Sequence, residues 1–227
     1  MPLMMRQAYT IAWKDLRSEL RTKEAINASL SFALVILLLF SFAFDPTSDT
    51  TREIAGGLLW MVFAFAGALI LNRSFARELA NDCLDALIAS PISGAALFLG
   101  KAFSNMILLM AIEILCLPVF GIFYNIHWGE YFPSLLLVLS ITTWSMVVIG
   151  TMFSAMTVNL RLRELMLPTL VYPMMIPGLI AAIQLTTSIL AGQGMSGDTA
   201  VWLRLLAGFD IIFTLLAVAL VEIVLVG

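Results

Sequence analysis

Six long apolar runs, at roughly 25 to 44, 54 to 72, 95 to 120, 133 to 158, 165 to 190 and 203 to 226, leave this sequence few folds to adopt. A helix needs about 20 such residues to cross the hydrocarbon core of a bilayer. Inside lipid, backbone groups are satisfied only within helices or closed barrels, and these runs lack the period-two alternation of barrel strands. The pattern predicts an all-α membrane protein of six transmembrane helices. Composition agrees: at 61% hydrophobic and 12% charged, with a mean hydropathy of +1.01, the chain has too little polar surface to cover itself in water.

Basic residues are retained on the cytoplasmic side of a membrane, so their distribution sets the orientation. Ten of the twelve lie in the N-terminal segment (Arg6, Lys14, Arg17, Arg21, Lys23), the loop after span two (Arg73, Arg77, Lys101) and the loop after span four (Arg161, Arg163). The opposite side keeps Arg52 and Arg204 and collects Asp45, Asp49, Glu53, Glu130 and Asp198. Both termini are therefore expected in the cytoplasm. The run from Ala25 to Phe44 is too long for a signal-peptide core and follows a charged segment, so it reads as a retained anchor. Nothing in the charge pattern suggests nucleic acid.

One domain, 1–227, suffices. Within residues 1–24, Met5, Tyr9, Trp13, Leu16 and Leu20 recur at spacings of three and four, with Arg6, Arg17 and Arg21 on one flank and Asp15 and Glu19 on the other. This pattern suits an amphipathic helix lying at the headgroup boundary before span one; the alternative is a soluble helix packed on a partner. The loop across 73–94 is patterned where a passive linker would be polar. Helix is expected to continue out of span two to about Ala80, with Asn81 ending it and Asp82 capping a second short helix that Ser90-Pro91 stops. That second helix would offer Leu84, Leu87 and Ile88 on one side, with Asp82 and Asp85 on the other, either to a docking partner or to lipid.

Enzymatic signals are absent from the sequence. Gly100-Lys101 lacks the Gly and the Ser or Thr of a phosphate loop, having Ala95 and Ala102 there instead. A single histidine, His127, in an aromatic outer loop, builds no metal cluster, and Cys83 and Cys116 fall at different levels of the membrane. Carboxylates inside spans are informative, because each costs about 2.5 to 3.5 kcal/mol at a helix centre and should face the bundle interior or water. Glu113 in span three and Asp210 and Glu222 in span six are the instances, with Asp210 reading as an indirect partner of Arg204. Span five carries Pro168, Pro173 and Pro177-Gly178 and reads as a broken helix, of the kind that lines substrate sites or merely aids packing. Glu113, Pro173, Pro177 and Asp210 are the intramembrane candidates.

The span two to three loop resembles the haem exporter protein B (CcmB) family on Phe75, Glu78, Leu79, Asn81, Leu84, Asp85, Leu87, Pro91 and Lys101. Asp82 stands where that family has Gly. Span five adds Leu170-Val-Tyr-Pro-Met-Met-Ile-Pro177, and the likeness covers nearly the whole chain. The resemblance implies a permease of ABC-2, type V exporter-like architecture in the bacterial inner membrane, working in cytochrome c maturation. It implies a second copy of the chain as a homodimer partner, a separate ATPase subunit that carries ATP, a haem-handling membrane subunit and a further small subunit. No catalysis and no cofactor are assigned to this chain; haem enters as substrate of the complex. Phe75, Glu78, Asp82, Leu84, Asp85 and Leu87 would form the ATPase-coupling element. The work done would be haem export or release of a haem-loaded periplasmic chaperone. Rival readings are a permease for lipid, glycan or drug, a secondary transporter using Glu113, and a scaffold.

Overall fold

The structure, a computed structural model, describes residues 3–45, 48–80, 92–126, 128–158, 160, 162–192 and 197–226. They form α1 (Leu3–Thr22), α2 (Glu24–Ala43), α3 (Asp49–Arg73), α4 (Ala76–Ala80), α5 (Gly94–Tyr124), a 3-10 turn (Trp128–Tyr131), α6 (Phe132–Thr157), α7 (Arg163–Leu190) and α8 (Asp198–Val226). Helices α2, α3, α5, α6, α7 and α8 are each long and apolar enough to cross a membrane. The protein is thus an all-α, multi-pass membrane protein. Three spans clearly exceed the apolar runs that announced them: α3 begins at Asp49, α5 continues past Pro118 to Tyr124, and α8 begins at Asp198. Helix does not stop where hydrophobicity does, because polar ends reach the interface while backbone bonding continues.

Local chemistry sets the boundaries. Ser48 Oγ accepts from Thr51 N at the start of α3, and Ser93 Oγ accepts from Ala96 N at the start of α5. Asn125, in the left-handed region at φ 50°, closes α5. Between α1 and α2 the chain turns on Lys23, also left-handed at φ 56°. The α2 N-terminus is capped from the preceding helix: Glu19 Oε1 accepts from Ala25 N at 2.8 Å and from Ile26 N at 3.0 Å.

Helices α3 and α6 are the most enclosed spans, α6 packing against α3, α5, α7 and α8, while α2 flanks α3 and α5, and α8 stands outermost. Lipid gives helices no hydrophobic reason to associate, so contact depends on close backbone approach at small residues. Gly100 of α5 provides one such approach, since a Cβ there would lie 2.7 Å from Ala8 O and 2.7 Å from Ile11 Cβ of α1. Ile11, Phe75, Leu97, Ala155 and Val158 form a small cluster with Val224 against it. Residues of the first and last helices therefore join one cluster at one end of the bundle, as an even number of crossings requires.

The expected helix out of span two is interrupted. It stops at Arg73, turns at Ser74-Phe75, and resumes as α4. The Ser74 carbonyl is taken by the buried Lys101 ammonium, which replaces the helical bond it would otherwise accept. Span five is corrected in the other direction: α7 runs unbroken from Arg163 to Leu190 through Pro168, Pro173 and Pro177. Pro173 and Pro177 lie on its exposed side, with Val171, Met175 and Leu185 on the buried one. Each ring removes a hydrogen bond from the outward face without displacing a packed neighbour.

Candidate functional site

The residues flanking the 81–91 segment converge on one buried ammonium. Lys101, on the buried face of α5 near its start, donates to Ser74 O at 2.7 Å, Glu78 Oε1 at 2.8 Å and Asp15 Oδ2 at 3.2 Å. A lysine has three N–H donors, and all three are occupied. Its Nζ also stands 4.7 Å from the centroid of the Phe75 ring. Lys14 closes the group, with Nζ 2.9 Å from Asp15 Oδ1 and 3.0 Å from Glu78 Oε1, so two cations and two carboxylates alternate. Burial pulls the Lys14 pKa down, but Asp15 and then Glu78 outweigh it and leave it raised.

A second tier lies one helical turn deeper. Asn105, four residues after Lys101, donates from Nδ2 to Ser74 Oγ at 2.9 Å and to Thr151 Oγ1 of α6 at 3.0 Å. The two tiers tie α1, the α3–α4 turn, α5 and α6 into one unit. A charge this deep persists only when paired and hydrogen-bonded, and removing one partner of such a pair costs about 3 to 5 kcal/mol.

Phe75 and Glu78, expected as docking residues, are buried at 0% and 5% exposure and face inward to Lys101. Asp82, Leu84, Asp85 and Leu87 lie outside the described residues, as do Asn81, Pro91, Cys83 and His127. Sequence reading missed Lys14, Asp15, Ser74, Asn105 and Thr151 as members of this group. Two signals were present: the acidic flank of α1, which turns into the protein, and Asn105 at the i+4 position from Lys101.

Within the spans, both candidate carboxylates face other helices. Glu113 is 1% exposed, and its two carboxylate oxygens lie 2.7 and 2.8 Å from Thr143 Oγ1 of α6. Asp210 of α8 accepts from Ser145 Oγ of α6. Among the described residues Asp210 makes no direct ion pair with Arg204, which is exposed. Glu222 is exposed near the end of α8. Trp60 Nε1 donates to Thr186 Oγ1 and Trp144 Nε1 to Thr214 Oγ1, so hydroxyls serve as interhelical acceptors at several levels. Cys116 is buried as a free thiol. Among the described residues no group of three or more His, Cys, Asp or Glu is placed to hold a metal.

A CcmB protein family model matches residues 6–223. Heme exporter protein B of Rhodobacter capsulatus is 31% identical over 175 residues, covering 76% of this chain and 78% of that protein. Heme exporter protein B of Pseudomonas aeruginosa is 29% identical over 199 residues, covering 88% of each. Heme exporter protein B of Escherichia coli is 25% identical over 200 residues, covering 86% of this chain and 90% of that protein. The matched segment contains α3, α4 and α5 with Phe75, Glu78 and Lys101 between and within them, and it runs from the first turn of α1 almost to the end of α8. On that extent of agreement, the chain belongs to the CcmB family.

Proposed function

We propose that this chain is the permease subunit of an ATP-driven complex in the bacterial inner membrane, exporting haem or releasing a haem-loaded periplasmic chaperone during cytochrome c maturation. The relatives' names supply haem as the substrate class. The observation that carries the coupling is the buried Lys101, which joins the chain before residues 81–91 to the helix after them. A segment whose flanks are joined by one ion pair transmits a push instead of absorbing it.

In this reading the chain binds no nucleotide and makes or breaks no bond. A separate ATPase subunit presses on the coupling element carrying Asp82, Leu84, Asp85 and Leu87. Phe75 and Glu78 act as positioning residues, passing the displacement through Lys101 to α5 and through Asp15 to α1. Coupling of this kind requires an element with two discrete arrangements, and the second copy of the chain supplies the other half of a bistable interface. Both termini face the cytoplasm. The haem-handling membrane subunit and its small companion hold and orient haem beside the permease dimer.

The test is complementation. In a bacterium deleted for this gene, c-type cytochromes carrying covalent haem should be lost, should return with the wild-type chain, and should remain absent with Lys101→Met at matched membrane levels. Normal cytochrome c assembly in the deletion strain would sink the proposal.

A further inference from the structure

Coupling through Lys101 draws only on the protein-facing side of α1. At about 100° per residue, Ala8, Ile11, Ala12, Asp15 and Glu19 fall on the side packed against α5 and the α3–α4 turn. Next to that side, Met5, Tyr9, Trp13 and Leu20 form a stripe that stays exposed. Beyond the stripe, Arg6, Arg17 and Arg21 fall within about 60° of one another on the flank turned away from α5, and all three are exposed. Both carboxylates of α1 lie on the protein side, so the basic flank is unopposed on its own helix.

We infer that this flank binds the headgroups of anionic phospholipids, and that the binding steadies the root of the 81–91 loop through Asp15, Lys101 and Glu78. Three features select this occupant. An exposed stripe with Tyr9 and Trp13 has the amphipathic composition that settles at the boundary between headgroups and acyl chains. The guanidinium groups lie immediately beside it on the helix, and Arg pairs with phosphate in a bidentate manner. Finally, the protein-facing side of the same helix ends in the Asp15–Lys101 contact at 3.2 Å, so the position of α1 bears directly on the buried ammonium that holds Ser74 and Glu78. The relay deepens the permease reading, since it presupposes that the loop does the work. The lipid contact stands without it.

The test uses the whole chain in nanodiscs of phosphatidylcholine, titrated with spin-labelled phosphatidylglycerol or spin-labelled phosphatidylcholine. The wild-type protein should restrain the anionic lipid preferentially, and the preference should weaken as salt rises. Replacing Arg6, Arg17 and Arg21 together by Gln should reduce that preference on the order of a hundredfold. The same three changed to Lys should keep most of it, which separates charge from folding. No preference in the wild type, or full preference in the Gln variant, overturns the inference and leaves an acidic protein surface as the occupant of the flank. For the relay, backbone amides across 74–80 should exchange hydrogen more slowly in phosphatidylglycerol than in phosphatidylcholine. In Asp15→Asn that lipid dependence should vanish while the lipid preference persists. Equal exchange in both lipids in the wild type overturns the relay. Neither measurement involves the ATPase, so failure of the permease reading would appear separately, in the complementation assay.

Discussion

Lys101 Nζ and Glu78 Oε1 stand 2.8 Å apart with their side chains 1% and 6% exposed, closing the polypeptide on either side of the 81–91 segment into a ring. The pair is dry, and Asp15 and the Ser74 carbonyl complete its bonding, so it differs in kind from the exposed Arg73–Glu24 contact at 3.1 Å at the same end of the bundle.

Lys101→Met should remove the buried cation from Glu78 and Asp15 and leave them only the half-exposed Lys14 as a counter-charge. A loss of about 3 to 5 kcal/mol is expected, read as a lower midpoint of thermal unfolding in detergent. Adding Glu78→Gln should restore part of that loss, because the stranded charge is then removed. A double variant less stable than Lys101→Met would show that the bond from Lys14 to Glu78 outweighs the cost of the buried charge.

Lys14 gives the group a pH dependence of known sign. Its pKa is raised above 10.5 in the folded state, so its contribution is fully present below the unfolded value and is lost as pH rises through the folded one. Wild type and Lys14→Met should therefore differ in stability by a constant amount from neutrality up to 10.5, and converge above it. A difference that grows with alkalinity would reverse the sign and exclude the carboxylates as the cause. Lys14 is half exposed, so the effect should also shrink with added salt.

Gly100→Val should lift α1 from α5, because even a Cβ there would meet Ala8 O and Ile11 Cβ at 2.7 Å. Hydrogen exchange should show α1 losing protection while the enclosed helix α6 keeps it. Unchanged protection of α1 would mean that α1 is held chiefly by its ion pairs.

Glu113→Gln should impair cytochrome c assembly more than Glu222→Gln at equal protein levels. Glutamine keeps a hydrogen-bonding group 2.7 Å from Thr143 Oγ1 while removing the ionisable one, whereas Glu222 is exposed. Near-normal assembly in both variants would reduce Glu113 to a packing role.

Leu84→Ala combined with Leu87→Ala should release the ATPase from the solubilised complex. Each buried leucine is worth roughly 1.5 to 3 kcal/mol, so affinity should fall about a hundredfold or more. This defect should survive high salt, whereas that of Asp85→Lys should fade as ionic strength screens the charge. Full retention of the ATPase by the double-leucine variant would remove the coupling role of that segment.

The spans were legible because burying backbone in lipid demands long uninterrupted apolar runs, and no tertiary contact can substitute for them. The stripe of Met5, Tyr9 and Trp13 was legible for a similar reason, since it is a local periodicity. The Lys101 group was not, because its members come from four separated stretches of chain and none announces its partner. Lys101 looked like one of several basic residues at a loop; only the fold brings Asp15 to it. The helix break at Ser74-Phe75 was equally hidden, since neither residue is a helix breaker and the cause is a side chain 27 positions away. Prolines misled in the opposite sense. They mark where a backbone bond is missing, whereas the neighbouring bonds and an outward-facing position kept α7 whole.

Glu19 caps α2 from within α1, and this bears on how the protein is made. The first span enters the membrane with amide donors at Ala25 and Ile26 that meet an acceptor only after the preceding helix has formed and the chain has turned at Lys23. Ribosomal synthesis delivers α1 first, so the acceptor is already in place when the span arrives. Glu19→Ala should accordingly be costlier to biogenesis than to the finished protein, appearing as slow or inverted insertion of α2 in a translocation assay while the molecules that do mature lose only the roughly 0.5 to 2 kcal/mol of a helix cap.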